Sequence, residues 1–182
     1  MYDRDPVILK RACEAAMIPA GTRVVIPEGT EVNLAQSLGG SFTVYVDGNL
    51  LRIAGKDADA LGLETPETPK LPDNHTDADL EKLIWQQMKT CYDPEIPINI
   101  VDLGLVYDCK LSDAGDGMKT VDVKMTLTAP GCGMGNILSA DVKEKIESVP
   151  LVKEARVELV FDPPWSREMM SEEARLQTGM YY

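Results

Sequence analysis

Val121-Asp122-Val123-Lys124-Met125-Thr126-Leu127-Thr128-Ala129-Pro130-Gly131-Cys132-Gly133-Met134-Gly135-Asn136 is the stretch whose reading decides the fold. Its first eight residues alternate apolar and polar side chains, as in a strand with one buried and one polar face. Proline and glycine then turn the chain. The spacing of Ile137, Leu138, Val142 and Ile146 predicts a helix over 134–149. Strand, glycine turn and helix together leave Cys132 at the junction. Backbone N–H groups and the helix dipole at such an end stabilise an anion. A thiol held there has a lowered pKa and is a better nucleophile or metal ligand. Gly131 and Gly133 remove side-chain bulk around it, so a reactant or a protein can approach the sulfur. The other use of Cys132 is as a small residue filling a tight turn, and spacing alone leaves both open. Gly131-x-Gly133-x-Gly135 is also half of a dinucleotide fingerprint. That reading fails because the strand alternates, the glycine spacing is wrong and the following region holds too few strands.

Working outward, the region from residue 76 alternates helix and strand. Thr76 is placed to cap a helix carrying Leu80, Leu83, Ile84, Trp85 and Met88 on one face, and Asp93-Pro94 ends it. Strands are predicted over 103–111, 121–128 and 155–161, with a hairpin connection at 112–119. A last helix is predicted over 166–177. The order α-β-β-α-β-α describes a small α+β domain over 76–182 with a mixed or antiparallel sheet. Residues 65–75 contain Pro66, Pro69 and Pro72 with little apolar content, which reads as a linker. Residues 1–64 are dense in β signals and read as a small all-β module. Ile18-Pro19-Ala20-Gly21-Thr22 recurs as Ile26-Pro27-Glu28-Gly29-Thr30, and Asp47-Gly48 between two β-branched runs marks a hairpin. Residues 7–17 are ambiguous between helix and strand, with strand the better fit.

Composition limits the function. The 182 residues carry 18 Lys+Arg against 30 Asp+Glu, a formal net charge of −12. Residues 1–70 hold 7 basic and 10 acidic side chains, and residues 71–182 hold 11 and 20. So acidic a chain argues against nucleic acid as its main partner. No apolar run reaches the roughly 18–20 residues of a membrane span, and the mixed charges of the first 17 residues are wrong for a signal peptide. The expectation is a cytoplasmic protein. The four cysteines form no C-x-x-C pair, which disfavours a zinc site. Cys13, Cys91 and Cys109 read as packing residues. With His75 as the single histidine, in a polar stretch, Ser-His-Asp and Cys-His catalysis is hard to build. A second cluster of interest is Asp93-Pro94-Glu95-Ile96-Pro97, whose two acids pinned by prolines suit either a rigid carboxylate pair or a simple helix stop.

Several segments, taken in order, resemble the iron–sulfur cluster assembly domain family that includes SufT, PaaD and the eukaryotic cytosolic iron–sulfur targeting factors. They are Asp93–Pro97, Asp102-Leu103-Gly104-Leu105-Val106, Thr126–Cys132, Asp162-Pro163-Pro164-Trp165-Ser166 and Met169–Arg175. The N-terminal module is similar to that of SufT-type members through Cys13-Glu14-Ala15, Gly39–Val44 and Gly55–Gly62. The resemblance implies an auxiliary role in maturing iron–sulfur proteins, without enzymatic activity. It implies that Cys132 is the reactive or cluster-handling thiol. Asp93, Glu95, Thr128, Gly131 and Gly133 would support it, and Asp93 or Glu95 would join Cys132 on iron. The cofactor implied is iron or an iron–sulfur cluster, held transiently. The partners implied are carrier or scaffold proteins and apo-targets, with homo-oligomerisation left open. Many relatives have a second hydroxyl where this chain has Ala129, and proline where it has Gly133. Two other readings stand beside this one: a thiol enzyme using Cys132 as nucleophile, and an adapter that binds no cluster.

Overall fold

The computed structural model describes residues 6–18, 20–38, 41–65, 67, 69–93, 96–129 and 134–179. The chain forms two compact units, Met1–Glu67 and Thr68–Tyr182.

The first unit is a six-stranded sheet in the order β1-β4-β5-β6-β2-β3, antiparallel at each pairing. The strands are β1 (Val7–Ile8), β2 (Cys13–Met17), β3 (Arg23–Ile26), β4 (Glu31–Leu38), β5 (Ser41–Val46) and β6 (Asn49–Ile53). Alternation along β5 and β6 buries Phe42, Val44, Leu51 and Ile53, and Asp47-Gly48 closes the β5–β6 hairpin. Residues 7–17, for which strand was the better fit, hold the two strands β1 and β2. Between them Arg11 turns aside and donates to Asp59 at 2.7 Å and to Asp57 at 2.8 Å. Those acids lie on a 3-10 helix, Gly55–Leu61, which the β-dense composition hid; it buries Ala58, Ala60 and Leu61.

The second unit is α+β. Helix α1 (Asp77–Met88) starts in a capping box, in which Thr76 Oγ1 accepts from the Asp79 N–H and Asp79 accepts from the Thr76 N–H. Strands β7 (Val106–Gly115) and β8 (Met118–Met125) form an antiparallel hairpin. Helix α2 (Met134–Glu147) then carries the chain back so that β9 (Val152–Leu159) lies parallel to β8. The sheet is therefore mixed, in the order β7-β8-β9, with β8 at its centre. Leu80, Ile84 and Met88 of α1 and Leu138, Val142 and Ile146 of α2 share one core with Val121, Val123 and Met125 of β8. A second close fit sits where α2 begins. A Cβ on Gly135 would lie 2.8 Å from Leu127 Cδ1, so glycine lets the first turn settle on the strand.

Two expected elements end differently. The strand read from Leu103 begins only at Val106, because residues 101–104 are turns and Gly104 takes φ +75°. The last helix, read as continuous over 166–177, is a 3-10 turn (Arg167–Met169) followed by α3 (Glu172–Thr178). The break lies at Met170, extended at ψ 144° with a buried side chain. Next to it the Ser171 N–H donates to Asp102 O at 2.7 Å, and that bond holds the chain out of helical geometry. Among the described residues, no helix is long and apolar enough to cross a membrane.

Candidate functional site

The parallel pairing of β8 with β9 brings their C-terminal ends to the same edge as the start of β7. Thr128 leaves β8 there and α2 starts there, with the glycine turn joining them in sequence. Cys132, Gly131 and Gly133 lie outside the described residues, as does Glu95. Cys132 stands two residues ahead of the first helical residue of α2.

The acidic loop comes to the same place. It is a narrow tongue whose two sides are hydrogen-bonded: Ile100 N–H donates to Cys91 O at 2.9 Å, Asp93 N–H to Ile98 O at 3.2 Å, and Tyr92 bridges to Asn99. Asp93 is 6% exposed. Its Oδ1 accepts the Ile96 N–H at 3.0 Å, and its Oδ2 accepts the Thr128 hydroxyl at 3.3 Å. Thus the structure joins Asp93 to Thr128, 35 residues apart, at the threshold of the cysteine turn.

A residue that the sequence reading passed over secures the base of the tongue. Lys145 of α2 donates to Thr90 O at 2.7 Å and pairs with Asp141 at 3.4 Å, both side chains largely buried. The signal was present, since Asp141 and Lys145 stand at i,i+4 beside the inward Val142 and Ile146.

The Asp102 motif has a different task. Asn99 Nδ2 donates to Asp102 Oδ2 at 2.6 Å, and Asp102 N–H donates to Asn99 Oδ1 at 2.9 Å, closing a tight turn. Around that turn the C-terminal segment is strapped down. Trp165 Nε1 donates to Leu103 O at 2.6 Å, Tyr107 Oη donates to Pro163 O at 2.7 Å, and the Met169 backbone lies against Gly104.

The three described cysteines are poor candidates for thiolate chemistry. Cys91 and Cys13 are buried, and burial pushes the Cys13 thiol up. Cys109, on β7, is pushed up to about 11 by burial, with Glu81 and Asp108 adding negative charge nearby. Among the described residues no three His, Cys, Asp or Glu side chains come together as a metal site.

Comparison with known proteins fits this geometry. The iron–sulfur cluster assembly protein family matches residues 81–159, from within α1 to the last residue of β9. The Fe-S protein maturation auxiliary factor of Porphyromonas gingivalis is 46% identical over 99 residues, which is 54% of this chain and 90% of that protein. This chain belongs to the iron–sulfur cluster assembly protein family. The Fe-S protein maturation auxiliary factor SufT of Staphylococcus aureus is 42% identical over 88 residues, 48% of this chain and 96% of that protein. A crystal structure titled as a domain of unknown function, DUF59, from Bacillus anthracis is 35% identical with a TM-score of 0.49, covering 57% of this chain and 94% of that one. The family match contains the acidic tongue, the Asp102 turn and the Thr128 strand end, and it stops short of the Trp165 strap.

Proposed function

We propose that this chain is an auxiliary factor in the maturation of iron–sulfur proteins, handing over iron or an iron–sulfur cluster through Cys132. The observation that carries the proposal is the Thr128–Asp93 hydrogen bond, which fastens an acidic tongue to the strand that leads into Cys132. Membership in the iron–sulfur cluster assembly protein family supports it.

The cluster is cargo. When Cys132 takes iron, its thiol proton leaves to solvent and the thiolate becomes a ligand; on hand-over a thiolate of the recipient replaces it. This is ligand exchange, with no change of oxidation state and no covalent turnover, and the factor is not an enzyme. A cluster takes four thiolate-like ligands, and one cysteine per chain supplies one. The rest come from a carrier or apo-target protein, from a small thiol, or from a carboxylate of the tongue, for which Glu95 is the candidate. Such a site fits brief custody. We place the activity in the cytoplasm, with carrier proteins and apo-targets as partners.

Anaerobic reconstitution with iron and sulfide tests this, read by absorption and Mössbauer spectra beside the in-cell activity of an iron–sulfur enzyme that depends on the factor. Wild type is expected to take up iron in a sulfur-bound state, and Cys132→Ala is expected to lose both uptake and cellular activity. Full cellular activity in Cys132→Ala overturns the thiol's role and leaves an adapter. Turnover of a small thiol-reactive substrate, lost in the same variant, would make the protein an enzyme.

A further inference from the structure

We infer that Asp93 and Thr128 are positioning residues that latch the acidic tongue to the end of β8, and that neither is a ligand to the cargo. The inference rests on the reading of Cys132 as the point of exchange, and it divides the two acids of the tongue between two tasks.

The argument starts from what a metal-binding carboxylate needs: an oxygen free to turn toward the metal. Asp93 has both oxygens engaged within the protein. Oδ1 takes the Ile96 N–H, closing a turn inside the tongue, and Oδ2 takes the Thr128 hydroxyl from across the fold. At 6% exposure the residue is also withdrawn from solvent. Thr128, for its part, spends its proton on Asp93. The sides of the tongue are paired at Cys91–Ile100 and Asp93–Ile98, and Lys145 holds the carbonyl of Thr90 at its base. The Asp93–Thr128 bond ties this tongue to the β8 end. Severing it removes the side-chain bond between the tongue and Thr128 while leaving the tongue's own backbone pairing whole.

A latch and a ligand make opposite demands on the same atoms. Asparagine keeps the latch without the charge: its Oδ1 still accepts from Ile96, and its Nδ2 donates to Thr128, whose hydroxyl rotates to accept. Serine at 128 keeps the hydroxyl, whereas valine keeps the shape and loses it.

The experiment uses the full chain in four single variants, Asp93→Asn, Asp93→Ala, Thr128→Ser and Thr128→Val, and the double variant Asp93→Ala/Thr128→Val, with two readouts. One is the in-cell activity of a dependent iron–sulfur enzyme. The other is hydrogen exchange of the Ile96 amide, which reports opening of the tongue whatever the protein does. Thr128→Val is expected to lower activity and to speed Ile96 exchange by about tenfold, the usual scale for one hydrogen bond to a charged group, and Asp93→Ala, which also loses the Ile96 bond, by more. The double variant Asp93→Ala/Thr128→Val is expected to be no worse than Asp93→Ala. Asp93→Asn and Thr128→Ser are expected to restore both readouts, a rescue that a need for negative charge would not permit. Activity in Asp93→Asn as low as in Asp93→Ala, with Ile96 exchange still slow, overturns the inference and makes Asp93 a ligand. Wild-type behaviour of Thr128→Val in both readouts overturns it as well. Cys132→Ala run in parallel separates the two proposals: if it keeps full activity the hand-over reading falls, and Ile96 exchange still decides the latch.

Discussion

The second unit contains two acidic turns that look equivalent in sequence, Asp93-Pro94-Glu95 and Asp102-Leu103-Gly104, yet they are spent differently. At Asp102 the turn is sealed. Its side chain is bound to Asn99, its carbonyl accepts from Ser171, the next carbonyl accepts from Trp165, and Gly104 lies against the Met169 backbone. At Asp93 the side chain instead reaches across the fold, accepting the Ile96 N–H within the loop and the Thr128 hydroxyl from beyond β8. The lesson is that a motif shared with a family can serve to seat a strap. Their hydrogen bonds tell the two apart: the sealed turn has its carbonyls committed to the C-terminal segment, and the tongue is bonded to Thr128, beyond the end of β8.

Breaking the sealed turn should have the largest effect. Gly104 has φ +75°, and a Cβ there would lie within 2.2 Å of Met169 O. Gly104→Ala therefore combines left-handed strain with a backbone clash, and the expected loss of stability is about 3–5 kcal/mol. Urea titration measures it, and a loss under about 1 kcal/mol would mean that the strap shifts aside easily.

The cysteines sharpen the contrast between sealed and reactive ground. With its pKa raised from about 9 to about 11, Cys109 holds about a hundredfold less thiolate at pH 8 than an ordinary thiol would. The sign follows from linkage. The raised value favours the neutral thiol in the folded state, so that contribution is intact below about pH 9 and is lost as the pH climbs through about 11. Alkylation at pH 8, followed by digestion, is expected to mark Cys132 first and to leave Cys13, Cys91 and Cys109 unmodified until the protein unfolds. Equal labelling of Cys109 and Cys132 would remove the distinction.

A smaller effect belongs to Trp165→Phe, which keeps the ring and removes the indole donor to Leu103 O. Leaving that carbonyl unpaired beside a fully buried side chain should cost about 1–2 kcal/mol, read as a lower denaturation midpoint at unchanged slope. Cellular activity of the dependent enzyme should follow stability alone.

Much of the fold was legible because local rules governed it. Thr76 and Asp79 stand at capping-box spacing, Asp47-Gly48 marks a hairpin turn, and the alternation in β8 gave its buried face. What was not legible depended on distant contacts. The bond from Ser171 to Asp102 splits the last helix, and no window around residue 170 contains Asp102. The late start of β7 follows from the strap lying on Gly104. The 3-10 helix at 55–61 buries small alanines, which carry almost no periodic signal. For the site, Asp93 stood out as one of two proline-pinned acids, and Thr128 entered through the family resemblance. Their meeting across 35 residues, and the hold of Lys145 on Thr90, belong to the tertiary structure.

The central position of β8 bears on the hand-over proposed above. The strand is bonded on both flanks, to β7 and to β9, so the segment leaving it starts from the best-braced place in the sheet. Only four residues separate Ala129 from Met134, where α2 takes hold. On the hand-over reading proposed above, a recipient would have to come to this edge of the sheet and bring its own ligands with it.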